Sequence, residues 1–156
     1  MVGSMIALTS LALAPLVASL PFNTIGNAVV NNLCDTEVTL WTNGNSQQGL
    51  WNLQANSGYY SEPFAGSGIA IVLVKGHSDD PNGKYADVPK TTFAYSLVDD
   101  VIWYDLDGNA FDGSKITLSS ADASCSAVVF DNGVNPGGDW TRQCHSDADV
   151  ILTLCA

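Results

Sequence analysis

Short β-type runs separated by turn signals recur along most of the sequence, and this pattern limits the possible folds more than any other feature. The runs, which are rich in Val, Ile, Thr, Tyr and Trp, are 28–32, 37–41, 58–64, 69–75, 92–98, 101–106, 115–120, 127–130 and 150–155. Typical turn sequences lie between them, such as Asn43-Gly44 and the 80–83 segment (DPNG). Downstream of residue 19, no apolar helical period extends over about ten residues. The sequence therefore predicts an all-β fold, either a sandwich or a barrel.

Two of these runs, 92–98 and 101–106, are separated only by Asp99-Asp100, which predicts a β-hairpin. Successive side chains along a strand point to opposite faces, so Trp103 and Tyr104 should face opposite sides of the sheet. Only one of these two aromatic rings can therefore lie in the core. The other is a candidate platform for stacking on a sugar.

The composition is acidic, with 16 Asp and Glu against 5 Lys and Arg and a formal net charge of −11. A length of 156 residues predicts one domain, and 46% hydrophobic residues are enough for a packed core. Because the five basic residues are scattered, they form no patch that could bind phosphates. This excludes nucleic acids and anionic membrane surfaces as partners, and we expect a monomer.

The first nineteen residues differ from the rest, and we interpret residues 1–19 as a signal peptide. The 5–18 segment is apolar, uncharged and too short to span a bilayer. Pro15 and the small residues at 17–19 fit the end of such a segment and its cleavage site. The residues that precede this segment include no Lys or Arg. The alternative interpretation of the segment is an amphipathic or buried N-terminal helix. The sequence thus predicts export to the extracellular space or the cell wall.

The four cysteines agree with export. None of them has the C-x₂-C spacing of a zinc site, so we expect two disulfides, for which three pairings are possible. Cys34 near the mature start and Cys155 at the penultimate residue suggest a link between the termini. Cys125 and Cys144 would then close a loop rich in Gly, Pro and Asn.

Six motifs occur in an order that resembles the Blastomyces yeast-phase-specific protein family, a branch of small fungal thaumatin-like proteins. They are NNLC (31–34), YSEPF (60–64), FAYSL (93–97), WYDL (103–106), NGVNPGG (132–138) and LTLCA (152–156). The resemblance covers residues 26–156 and implies a thaumatin-like antiparallel β-sandwich domain stapled by two disulfides. It also favours the Cys34–Cys155 pairing, because thaumatin-like proteins tie their first strand to the C-terminus.

The resemblance also implies where a cleft would lie, and which of its residues are lost. Many thaumatin-like proteins of plants have an acidic cleft of one Arg, one Glu and three Asp that is linked to β-1,3-glucan. In this chain the Glu position falls on Ala94, and the segment matching the Arg, 43–50, contains no Arg. One Asp is present as Asp105, and a second could be Asp107 or Asp112. Since hydrolysis of glycosides needs two suitable carboxylates, we expect no catalytic residues.

The predicted function is therefore that of a secreted, non-enzymatic binder and candidate effector, whose partner is a β-glucan, another cell-wall polysaccharide or a host protein. The alternative is a weak β-1,3-glucan hydrolase that uses Asp105 with Asp107 or Asp112. The predicted ligand groove consists of Trp103, Tyr104, Asp105, Asp107 and Asp112.

Other chemistry has little support in the sequence. There is no G-x-S-x-G, H-E-x-x-H or P-loop motif. The 105–113 segment (DLDGNAFDG) clusters oxygen ligands, but its Gly stands at the fourth position, whereas a calcium-binding EF-hand loop requires it at the sixth. We interpret the segment as two Asp-Gly turns and expect neither a metal nor a cofactor.

Overall fold

The structure is a computed structural model that describes residues 24–77 and 87–156. The predicted signal peptide lies outside the described residues, as does the whole DPNG turn (80–83). Within the described ranges, no helix has the length and apolar character needed to cross a membrane.

The described residues form eleven β-strands in two sheets. The strands are β1 (Asn27–Asn32), β2 (Val38–Asn43), β3 (Gln47–Leu53), β4 (Gly58–Pro63), β5 (Ile69–Lys75), β6 (Thr91–Val98), β7 (Val101–Gly108), β8 (Ile116–Ser120), β9 (Val128–Phe130), β10 (Arg142–His145) and β11 (Val150–Leu154). One sheet has the order β4-β1-β11-β8-β9, and the other has the order β10-β7-β6-β5-β2-β3. The predicted all-β sandwich is confirmed.

One pair of strands departs from the expected antiparallel arrangement. β1 and β11 run parallel, with Ala28 opposite Val150 and Asn32 opposite Leu154. The other strand pairs within the described residues are antiparallel. The first and last strands thus lie side by side in the middle of the five-stranded sheet.

The sequence patterns identified nine strands and missed two, β3 and β10. These two strands form the opposite edges of the six-stranded sheet, where side chains are more exposed and apolar alternation is weak. In β3 the register also shifts against β2, near Gly49, which has a φ of 85° that suits glycine.

The core lies between the two sheets and follows from the alternation of side chains along each strand. In β7, Ile102, Tyr104 and Leu106 are buried, whereas the side chains between them point to the outer face. Phe93 and Phe111 are among the largest fully buried side chains. The aromatic core therefore fixes which residues of β6 and β7 remain available to solvent.

Two disulfides close the sandwich, and their pairings are Cys34–Cys155 and Cys125–Cys144. The first joins the residues that follow β1 to the C-terminus, across a sequence separation of 121. The second ties the loop between β8 and β9 to β10, across a separation of 19. It therefore connects the five-stranded sheet to an edge of the six-stranded sheet.

Candidate functional site

The β6–β7 hairpin is the platform of the candidate site. The predicted hairpin is confirmed: Val98 lies opposite Val101, and Asp99-Asp100 form the turn. Asp99 has a positive φ of 56°, which Asp tolerates better than most residues. The register then places Ser96 opposite Trp103 and sends both side chains to the outer face.

A groove of about 230 Å³ lies on this outer face and is lined by residues that include Ala94, Ser96, Trp103, Asp105 and Thr141. We call it the Trp103–Asp105 groove. Trp103 is 44% exposed, and it also lines an adjoining cavity of about 340 Å³ beside Thr141. The exposed indole of Trp103 thus shares the groove with the carboxylate of Asp105 and with the hydroxyl groups of Ser96 and Thr141.

The rest of the outer face is less open. Trp41, Val72 and Val74 form a second, smaller apolar cluster there, against which Leu50 and Val88 pack. Because that half of the sheet is covered, a ligand approaching the outer face would meet the β6–β7–β10 half. This is where the Trp103–Asp105 groove lies.

Tyr104 lies on the opposite side of β7 from Trp103, as the alternation requires. It is 1% exposed, and its hydroxyl donates a hydrogen bond of 2.7 Å to the carbonyl oxygen of Ser126. Burial raises the pKa of the Tyr104 hydroxyl, against a smaller opposing influence of Arg142. Its ring therefore packs in the core, and only its neighbour Trp103 exposes an aromatic ring to the groove.

The pKa of the Asp105 carboxyl group is shifted by its surroundings. Partial burial raises its pKa, and the charges of Asp107 and Asp139 act in the same direction. A backbone hydrogen bond at Leu106 and the charge of Arg142 oppose the shift. The segment that matches the Arg of the plant proteins contains none, and Arg142 of β10, which acts on Asp105 through its charge, does not line the groove.

Asp107 shares the outer face with Asp105 but is already engaged by hydrogen bonds. Its Oδ1 accepts one from the backbone N–H of Gly108 at 2.8 Å and one from Nδ2 of Asn135 at 2.7 Å. Oδ1 of Asn135 in turn accepts a hydrogen bond of 3.0 Å from the indole N–H of Trp140. The NGVNPGG loop thus holds the side chain of Asp107 in place.

Asp112 lies in a turn after β7 and does not line the Trp103–Asp105 groove. Its Oδ1 accepts a hydrogen bond of 3.1 Å from Nδ2 of Asn132. The structure therefore brings Trp103, Asp105 and Asp107 to one face of β7, and it separates Asp112 and the Tyr104 ring from them.

Within the described ranges, three candidate metal ligands lie within 4.8 Å of one another: Asp122, Cys125 and Cys144. Both sulfur atoms belong to a disulfide, so neither is available as the thiolate that metal binding requires. The cluster is therefore a poor metal site.

Sequence reasoning missed the part of the site that β10 contributes. Thr141, which lines the groove, directly precedes β10, and Arg142 at the start of β10 lines the adjoining cavity; this short edge strand has no apolar alternation that would predict it. Asn135, in contrast, belongs to a motif that had been noted as part of the resemblance, although no role had been assigned to it. Local patterns along the chain therefore located β7 but not the strand that borders it.

The pKa shift of Asp105 leads to a prediction about stability. Its pKa in the folded protein is above the reference value of 3.8, so the charged form destabilises the folded state once the pH exceeds that value. We expect Asp105→Asn to raise the melting temperature at about pH 7 and to have a much smaller effect at about pH 3.

Asp122→Asn is the matched control for this prediction, because hydrogen bonds with Ser124 lower the pKa of Asp122. The stability that Asp122 contributes is present above its unfolded pKa and is lost on acidification, so its substitution should lower the melting temperature at about pH 7. Thermal unfolding followed by circular dichroism measures both variants. A melting temperature of Asp105→Asn below that of the unsubstituted protein at neutral pH would contradict the account.

The chain matches a known protein family and a protein of known sequence. Residues 15–156 match the Blastomyces yeast-phase-specific protein family. The chain is 30% identical to an antigenic thaumatin-like protein of Arthroderma benhamiae, in a match that covers 98% of this chain and 82% of that protein. The resemblance that the six motifs indicated is thereby confirmed.

Two solved structures are similar to this one in fold. The protein elicitor MoHrip2 of Magnaporthe oryzae matches with a TM-score of 0.67 and 25% identity, over 84% of this chain and 99% of the elicitor. The thaumatin-like xylanase inhibitor TLXI matches with a TM-score of 0.64 and 14% identity, over 83% of this chain and 99% of the inhibitor, which shows the fold alone. The fold is thaumatin-like, and the chain belongs to the Blastomyces yeast-phase-specific protein family.

Proposed function

We propose that this protein is a secreted, non-enzymatic binder of cell-wall polysaccharide and that the ligand contacts the Trp103–Asp105 groove. The observation that supports this most is the exposed indole of Trp103 beside the carboxylate of Asp105. A sugar ring presents apolar C–H faces and hydroxyl edges. An aromatic face with hydrogen-bonding groups next to it complements both of these surfaces.

The positions of the carboxylates support binding rather than hydrolysis. Glycoside hydrolysis generally uses two carboxyl groups that flank the scissile bond. Opposite Asp105 on the neighbouring strand the residue is Ala94, which offers no functional group. Asp107 on the same face already accepts two hydrogen bonds through one oxygen atom. Among the described residues that line the groove, Asp105 is the one carboxylate, and Ala94 lies opposite it.

A weak β-1,3-glucan hydrolase remains the alternative function. It is favoured by the raised pKa of Asp105 near Asp107, because a general acid needs a carboxyl group that keeps its proton at higher pH. The names of the similar proteins describe an antigen, an elicitor and an inhibitor, and none of these names denotes an enzyme.

Two disulfides support the proposed export, because such bonds persist mainly in oxidising compartments. The proposed leader at residues 1–19 would direct the chain there.

Binding to insoluble β-1,3-glucan tests the proposal. We expect the unsubstituted protein to sediment with the polysaccharide and Trp103→Ala to lose about tenfold in affinity, because stacking on the indole is removed. Asp105→Asn should weaken binding less, since the amide can still form hydrogen bonds. Tyr59→Ala is the matched control, because Tyr59 is an exposed aromatic residue on the other sheet. Equal sedimentation of Trp103→Ala and the unsubstituted protein would contradict the proposed site.

A further inference from the structure

A larger cavity, of about 530 Å³, opens at the edge of the sandwich and adjoins the Trp103–Asp105 groove, with which it shares Ile69 and Tyr95 in its lining. It lies between the end of β4, the 44–46 turn that joins β2 to β3, and the 65–68 loop that leads into β5. Glu62 lines it, and we call it the Glu62 cavity. Its volume is within the range of about 300–1,000 Å³ that is usual for ligand-binding sites.

The carboxylate of Glu62 is held in place by a tyrosine from each sheet. Tyr60 of β4 donates a hydrogen bond of 2.6 Å to Oε2, and Tyr95 of β6 donates one of 2.8 Å to Oε1. Burial and the hydrogen bonds to Glu62 raise the pKa of both tyrosine hydroxyls, so they remain donors at any physiological pH. Since a carboxylate has about four acceptor positions, two of them are used and two are available to a ligand.

The chemistry around Glu62 favours a positively charged group. Among the described residues that line the cavity there is no Lys, Arg or His, so the carboxylate has no cationic partner in the lining. The rim supplies amide and hydroxyl groups from Asn45, Ser46 and Ser67, which can accept further N–H hydrogen bonds. An anionic ligand would be repelled by the carboxylate.

A sugar fits this cavity less well than it fits the Trp103–Asp105 groove. The aromatic residue in the lining, Tyr95, is 3% exposed and already uses its hydroxyl to hold Glu62. No exposed aromatic face among the described lining residues is therefore available for stacking. The net charge of −11 attracts positively charged partners at long range, which adds to the local preference.

We propose that the Glu62 cavity receives an arginine or lysine side chain from a basic protein partner, with the Glu62 carboxylate as its counter-charge. Two N–H groups of a guanidinium can donate hydrogen bonds to one carboxylate at the same time, so this pairing is directional as well as strong. The protein would thus have two adjoining contact sites, one for polysaccharide and one for a basic protein surface. This second site does not depend on the proposed function of the first.

Titration of the ¹⁵N-labelled full chain with N-acetyl-arginine amide tests the proposal. We expect amide chemical-shift changes that are concentrated at residues 42–48 and 62–69, and we expect them to weaken as salt is added. The uncharged citrulline analogue should bind at least about tenfold more weakly, because the charge-assisted hydrogen bonds are lost. Equal binding of both compounds, or shifts that cluster at Trp103 instead, would overturn the proposal.

Glu62→Gln should weaken binding of the arginine probe by at least about tenfold. The chain has only two glutamates, and Glu37→Gln is the matched control because it removes the same charge from a partly exposed residue outside the cavity, where Glu37 lies 3.3 Å from His77. It should leave the affinity for the probe within about twofold of the unsubstituted protein. Equal effects of the two substitutions would show that only the net charge matters and would overturn the proposal.

A second pair of variants leaves the Glu62 hydrogen bonds in place. Ser67→Lys introduces an ammonium group at the rim, which should compete with the probe and weaken its binding severalfold. Ser57→Lys adds the same charge at an exposed position in the turn between β3 and β4, outside the cavity, and should have little effect. Unchanged binding by Ser67→Lys would contradict the assignment of the cavity as the cation site.

Discussion

Replacing both Cys34 and Cys155 with Ser should lower the free energy of unfolding by about 5 kcal/mol. The chain-entropy model assigns this effect to the unfolded state, where a disulfide across a separation of 121 residues removes much conformational freedom. The bond also secures the ends of β1 and β11, the parallel pair in the middle of the five-stranded sheet. Unfolding in urea, followed by fluorescence at fixed pH, measures the difference.

The Cys125→Ser, Cys144→Ser double variant is the control, because its loop spans a separation of only 19. The same model gives a loss of about 3 kcal/mol for this shorter loop. Both variants lack free thiols, so the comparison is not complicated by exchange between cysteines. A greater loss from the shorter loop would contradict the loop-entropy argument for these two disulfides.

Asn32→Ala should lower the free energy of unfolding by about 3 kcal/mol or more. Asn32 is fully buried, and its Nδ2 lies within 2.9–3.2 Å of the carbonyl oxygens of Thr36, Leu53 and Gln54. Its Oδ1 accepts a hydrogen bond of 3.1 Å from the backbone N–H of Cys34. Alanine would leave these backbone groups without partners inside the protein, which costs more than the loss of one hydrogen bond.

Two further variants test whether the hydrogen bonds of the Asn32 side chain are the cause of this loss of stability. Asn31→Ala changes the neighbouring side chain, which points to the other face of β1, and should cost less than about 1 kcal/mol. Asn32→Asp keeps the shape and an acceptor for Cys34 but replaces the donor with an oxygen atom near three carbonyl groups. It should therefore destabilise at least as much as alanine at neutral pH. Urea unfolding curves that place Asn32→Asp close to the unsubstituted protein would show that the donor is unimportant.

The sequence predicted the central strands well because their patterns are local. The predicted run at 69–75 coincides with β5, and the two-residue turn between β6 and β7 lies where Asp99-Asp100 predicted it. The parallel pairing of β1 with β11 could not be read from periodicity, since it joins residues more than a hundred positions apart. The disulfide pairing, implied by the resemblance, was the one sequence-based indication that these two strands are neighbours.

For the candidate site, the sequence predicted correctly only the arrangement of residues within one strand, β7. Alternation places Trp103, Asp105 and Asp107 on one face of β7, and this requires no knowledge of the neighbouring strands. Thr141 lies in the groove lining because it precedes β10, which pairs with β7, and that register depends on tertiary packing. The position of Asp112, in a turn held by Asn132, likewise depends on a long-range contact.

We propose that this protein binds polysaccharide through the Trp103–Asp105 groove without cleaving it. A single time-resolved NMR titration with a soluble β-1,3-glucan oligosaccharide tests both parts, because it records the Trp103 indole N–H and the anomeric protons of the sugar. We expect the Trp103 signal to shift with increasing oligosaccharide and the anomeric spectrum to stay unchanged overnight. New reducing-end signals that are absent with Asp105→Asn, or an unshifted Trp103 indole, would contradict the account.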